Sequence, residues 1–257
     1  MSPDQVPTDV LRHCFEIDRC NQRGGRMLSI VDLIDAGTIT REAAGYCLAA
    51  IGRGASFLVG AVPGGAGKTT VMGALLNFVP ARVRLRPADG LDAIRRALAA
   101  PEPRCCYICH EIGRGPYYAY LWGSALRAYF ELPAAGHMVA TNLHADTYQQ
   151  ARDQICVDNG ISPEALRRIG LMLFLDVRRT GGRIERTISA IWESDGVDDH
   201  HRVFPAEGRA EAPIRSKLVS AEAIAEATRR LDALVAAGAR TIEEVRAAIC
   251  AWQRGCE

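Results

Sequence analysis

Val62-Pro63-Gly64-Gly65-Ala66-Gly67-Lys68-Thr69 decides the fold. The string matches the phosphate-loop pattern G-x-x-x-x-G-K-[ST] at every defined position but the first, where valine replaces glycine. Gly64, Gly65 and Gly67 allow the backbone to curl so that successive N–H groups point inward at phosphate oxygens. A helix beginning near Lys68 adds its positive N-terminal end. Lys68 is placed to reach the β- and γ-phosphates, and the Thr69 hydroxyl to hold magnesium. The expected ligand is therefore ATP with Mg2+, bound by Gly64, Gly65, Ala66, Gly67, Lys68, Thr69 and Thr70. A glycine-rich turn between strand and helix would explain the glycines alone, but not Gly-Lys-Thr at the helix start.

The flanking sequence has the layout this loop requires. An apolar run at Ser56–Val62 predicts a strand, and Val71, Ala74, Leu75 and Phe78 predict one face of the helix that follows. Upstream, Thr40 is the expected N-cap of a helix carrying Ala44, Cys47, Leu48 and Ile51. Downstream, helices are expected at Leu91–Ala99 and around Thr147–Val157, with strands at Cys105–Cys109 and Met138–Leu143. Ser162-Pro163 starts a short helix. Leu171–Val177 and Arg183–Trp192 read as a hairpin joined through Gly181-Gly182. Ser220–Ala237 is amphipathic, and Thr241 with Glu244 forms a capping box for a last helix. Residues 1–28 show little pattern. The expected fold is α/β, a P-loop core with a small C-terminal helical subdomain. The division is 1–40 as an N-terminal segment, 41–194 as core, 195–218 as linker and 219–257 as helical subdomain.

Hydrolysis needs a carboxylate at the end of a neighbouring buried strand. Glu111, just past Cys105–Cys109, is the expected general base or water-positioning group, and a magnesium ligand directly or through water. A surface acid past a strand end is the bland alternative. The run Thr141-Asn142-Leu143-His144 places His144 at the end of the third strand, where it could sense a γ-phosphate. Taken alone, a strand-end histidine is more often a structural one. Lys68, Glu111 and His144 form the expected catalytic set.

Composition narrows the function. Net charge is +1 with no basic stripe, which argues against nucleic-acid binding. Only two lysines occur, Lys68 and Lys217, so a composition that avoids lysine keeps one where a compact ammonium is useful. Nine scattered cysteines read as free thiols of a cytoplasmic protein. Cys106-Tyr107-Ile108-Cys109-His110 fits a c-type haem attachment string, but it lies within an apolar run where small cysteines fill a core. Six aromatics, Tyr117, Tyr118, Tyr120, Trp122, Tyr129 and Phe130, crowd fourteen residues. They suit either a partner surface or a helix packing its rings inward.

Together these residues resemble the type II/type IV secretion ATPase family, the motors of pili, archaella and secretion systems. The likeness runs from about Ile30 to Trp252, with the archaeal branch nearest. Ser29–Thr38 is similar to the segment entering its ATPase domain. Gly64–Thr70 resembles its Walker A loop, Glu111-Ile112 its Walker B glutamate, and Gly136-His137 with Thr141–Ala145 its His box. Of the family's large N-terminal domain a remnant is expected in 1–40, at most its final strand before Ser29. Asp89 is a poor match to the family's Asp box, and its arginine after the glutamate is displaced to Arg114. The resemblance implies a RecA-like core and a homohexameric ring with nucleotide between subunits, working on a membrane platform protein from the inner face of the membrane. A different class remains open: a nucleotide-binding regulator or scaffold with little turnover. A small-molecule kinase, with a lid around Arg178–Arg186, is a third reading that the His-box match opposes.

Overall fold

The computed structural model describes residues 6–21, 24–62, 64–99, 103–181, 183–205 and 213–254. Pro63 of the phosphate loop, Gly182 of the expected hairpin and 206–212 of the expected linker lie outside the described residues. In chain order the helices are α1 (Thr8–Asp18), α2 (Ile30–Asp35), α3 (Arg41–Gly52), α4 (Lys68–Leu76), α5 (Leu91–Ala99), α6 (Ser124–Tyr129), α7 (Tyr148–Arg152), α8 (Pro163–Arg167), α9 (Ala221–Ala236) and α10 (Ile242–Arg254). The strands are β1 (Phe57–Gly60), β2 (Arg84–Pro87), β3 (Cys105–Ile112), β4 (Tyr120–Leu121), β5 (Met138–Leu143), β6 (Leu171–Thr180), β7 (Arg183–Glu193) and β8 (His201–Phe204).

All eight strands form one sheet in the order β2-β3-β5-β1-β6-β7-β8, with β4 beside the end of β3. β2 to β6 pair in parallel and the β6–β7–β8 edge is antiparallel. β5 stands between the strand that feeds the phosphate loop and β3, the RecA-like order. Along β3 the side chains alternate. Cys106 and Ile108 join an apolar layer with α1–α4, α9 and α10, while Cys105, Tyr107 and Cys109 join a second layer with α5 and α6. The result is a sheet covered on both faces, as a parallel sheet requires. Cys106 and Cys109 are both fully buried and face opposite layers, so the haem-like spacing brings no two thiols to one place.

Helix starts follow the local chemistry read from sequence. The Thr40 hydroxyl accepts from Ala43 N–H at 3.2 Å, and Ser162 and Ser220 cap α8 and α9 in the same way. Thr241 and Glu244 form both bonds of the capping box, at 3.0 and 3.1 Å. Three features differ from expectation. α1 occupies part of the patternless 1–28, burying Val10, His13, Cys14 and Ile17 at helical spacing. The stretch 195–218, expected as a linker, carries β8, because His201–Phe204 finds a free edge on β7. The helix expected over Thr147–Val157 passes into a π-helical turn at Asp153–Val157.

The terminal helices pack into the layer over α3 and α1. Gly45 of α3 meets Thr228 of α9 so closely that a Cβ there would lie 2.1 Å from the threonine Oγ1. Buried Arg246 of α10 donates to the carbonyls of Asn77, Val79 and Pro80 just beyond α4, neutralising the helix's negative C-terminal end. The aromatic run divides. Tyr129 and Phe130 are buried, with the Tyr129 hydroxyl donating at 2.9 Å to the Tyr107 and Ala140 carbonyls, whereas Tyr117 and Tyr118 are exposed. Among the described residues no helix is long and apolar enough to cross a membrane.

Candidate functional site

Three parallel neighbours, β1, β5 and β3, end side by side, so whatever follows each strand shares one crevice at the carboxyl edge of the sheet. The phosphate loop follows β1, His144 follows β5, and Glu111 is the penultimate residue of β3, which is longer than the expected Cys105–Cys109 and runs to Ile112. The loop itself has the predicted curl. Gly65 and Gly67 hold φ of 80° and 98°, in the left-handed region that side chains resist. Gly67 then serves as N-cap of α4, leaving Lys68 as its first helical residue.

The expected catalytic set comes together. Lys68 Nζ lies 3.6 Å from Glu111 Oε2 and donates to the Ala61 carbonyl at 3.0 Å. His144 Nε2 lies 3.9 Å from the same carboxylate oxygen. Its Nδ1 is 3.3 Å from Lys68 Nζ and 3.1 Å from the Val62 carbonyl; with a proton it donates to the carbonyl, without one it accepts from the ammonium, so it serves one partner at a time. Burial pushes the Glu111 carboxyl up and the Lys68 ammonium down, while their mutual attraction acts against both shifts. Glu111 Oε1 is buried and has no partner among the described residues. Gly64–Thr70, Glu111 and His144 together line a cleft of about 710 Å3.

The cleft fits a magnesium–triphosphate group on the chemistry of its donors: a glycine cradle, an ammonium, the Thr69 hydroxyl and an unused carboxylate oxygen. Beyond the loop its wall is mixed: Leu28 and Leu33 of the segment around α2 and Leu175 and Ile184 of the β6–β7 hairpin stand beside Asn21, Arg26, Glu185 and Arg186. Two contributors were not legible in the sequence. Asp146 accepts the Val62 N–H at 2.6 Å and so fixes the loop's first turn, where glycine is replaced by valine. Arg186 lies over the loop, its guanidinium donating to the Gly65 carbonyl at 3.2 and 3.4 Å. Asp146 sits two residues beyond His144 with no motif of its own, and Arg186 lies in the stretch Arg178–Arg186.

Other expected residues stand elsewhere. Asp89 is exposed and lines a separate cavity. Arg114 is exposed, its guanidinium 5.0 Å over the Trp122 ring. His137 lies at the opposite end of β5 from His144, accepting from the Cys105 N–H at 3.2 Å. His110 is buried edge-on to Tyr118 and is a packing residue.

A search with models of known protein families gives no match, and neither does a search of curated proteins. Among solved structures, the chain is similar to the VirB11 ATPase from the Brucella suis type IV secretion system in complex with sulphate, at 17% identity and a TM-score of 0.46, over 64% of this chain and 54% of that one. It is also similar to the Legionella pneumophila ATPase DotB, at 12% identity and a TM-score of 0.41, over 86% of this chain and 57% of that one. The chain thus spans little more than half the length of either protein.

Proposed function

We propose that this chain binds Mg·ATP on the loop Gly64–Thr70 and hydrolyses it, as a motor subunit of the secretion-ATPase class. The observation that carries the reading is the convergence of Lys68 and His144 on one carboxylate oxygen of Glu111 beside a glycine cradle. Lys68 leaves Glu111 to neutralise phosphate charge, and Glu111, released, accepts a proton from the attacking water or holds that water in line. His144 occupies the place where a γ-phosphate would end, able to exchange its Val62 or Lys68 contact for phosphate. Arg186 adds a cation from the hairpin, and Thr69 with Glu111 would hold magnesium, which would supply positive charge against that growing on the departing ADP. Ring assembly, with nucleotide between subunits and force passed to a membrane platform, follows from the family resemblance and belongs to this proposal.

A nucleotide-binding regulator with little turnover is the second reading, favoured by the position of Asp89 outside the cleft. Phosphate release separates the two. Wild-type protein should turn over Mg·ATP, and Lys68→Ala should lose that activity. Strong thermal stabilisation by Mg·ATP without phosphate release would select the regulator.

A further inference from the structure

A second cavity, of about 560 Å3, opens at the free edge of the sheet. Arg12 of α1, Arg84 and Arg86 of β2, Arg96 of α5 and Arg246 of α10 all line it. Three carboxylates, Asp9, Glu16 and Asp89, share the lining. Two of them are already engaged by arginines outside it, Asp9 with Arg254 at 3.7 Å and Glu16 with Arg19 at 3.2 Å. Arg12, Arg84 and Arg96 make no ion pair among the described residues. In a chain of net charge +1, the cavity concentrates guanidinium groups that its own acids do not balance. Arg246 on the inner wall is 2% exposed, and its Nε is buried without a partner among the described residues.

The backbone at this edge argues against an added strand. Ala88 N–H donates to the Ile108 carbonyl across the ladder, so by alternation Leu85 and Pro87 present their backbone outward. Pro87 has no N–H to offer, and a peptide pairing here would find a broken ladder. Side chains, rather than main chain, are what the cavity offers. Val83, Leu85, Ala97 and Tyr107 supply an apolar wall beside the arginines.

We propose that this cavity is a binding site for a phosphomonoester carried on a small apolar body. Guanidinium matches phosphate oxygens through paired N–H donors, and the volume falls within the range of small-molecule sites. The site is separate from the nucleotide cleft and does not depend on what that cleft does. Its phosphate can come from a soluble metabolite or from a lipid headgroup.

Calorimetry with 1-naphthyl phosphate tests it on the full chain, beside 1-naphthol and vesicles of phosphatidylcholine with and without phosphatidic acid. Arg84→Ala/Arg96→Ala changes two exposed side chains, and a thermal melt checks that the fold is kept. 1-Naphthyl phosphate should bind the wild type and Lys68→Ala equally, and the double variant about tenfold or more weakly. Arginine-dependent binding to the phosphatidic acid vesicles alone would support the site with a lipid headgroup as its source. Loss of probe binding in Lys68→Ala but not in the double variant would place the anion on the phosphate loop and overturn the proposal. Equal affinity for 1-naphthol, or no binding of naphthyl phosphate or vesicles, would overturn it too.

Discussion

Replacing Glu111 by Gln should separate affinity from turnover. At 3.6 Å and an effective dielectric of about 20, Lys68 and Glu111 attract by about 4–5 kcal/mol before desolvation is charged against them. An incoming γ-phosphate must draw the ammonium off that carboxylate, and the carboxylate also repels the phosphate. Glutamine keeps the shape and a carbonyl acceptor but removes the charge. If about a quarter of the gross attraction survives as net competition, Mg·ATP binds the variant tighter by about 1 kcal/mol, or about fivefold. Turnover should fall by about 10²- to 10⁴-fold, the usual worth of a general base. A fluorescent ATP analogue gives the affinity, and coupled phosphate release gives kcat. Unchanged turnover would remove Glu111 from the chemistry. Affinity and turnover falling together would make it a magnesium ligand or a support for the loop rather than an acceptor of the water's proton.

Gly45→Ala should destabilise the fold by about 1–3 kcal/mol, although alanine is the better helix former, because the new Cβ would meet the Thr228 main-chain nitrogen at 2.9 Å as well as its hydroxyl. A urea melt showing equal or greater stability would refute the close α3–α9 contact. His200 is buried, donates to the Ile169 carbonyl at 2.7 Å, and has its pKa lowered by burial to about 4. Its folded pKa lies below the unfolded value, so its contribution is complete above about pH 6.5 and is lost as pH falls toward about 4, amounting to about 3 kcal/mol. Urea melts at pH 7 and pH 5 should show a smaller acid loss in His200→Gln than in wild type. Some loss should remain from His13, whose pKa burial also holds well below its usual value. Identical pH dependence would show that His200 titrates normally.

What the sequence made legible was local. The loop, its strand and its helix are contiguous, and Glu111 and His144 each close an apolar run long enough to be a buried strand, so their convergence followed once the strands were parallel. Arg186 and Asp146 reach the loop from 121 and 84 residues away, and nothing in their own neighbourhoods marks them. α1 did carry a signal, in Val10, Cys14 and Ile17, but prolines and paired glycines around it hid the spacing. β8 could not be read at all, because four residues pairing with an exposed edge need no apolar pattern of their own. The aromatic run defeated a single reading because Tyr129 and Phe130 belong to a helix end, while Tyr117 and Tyr118 belong to a loop.

Everything proposed for the cleft depends on the phosphate loop gripping a triphosphate through Lys68 and the inward amides. Titrating Mg·ATP into wild type and Lys68→Ala in the calorimeter measures that grip directly. The wild type should give a saturable one-to-one isotherm that Lys68→Ala loses or weakens by at least about tenfold. A silent wild-type titration, or equal affinities in the two proteins, would contradict it.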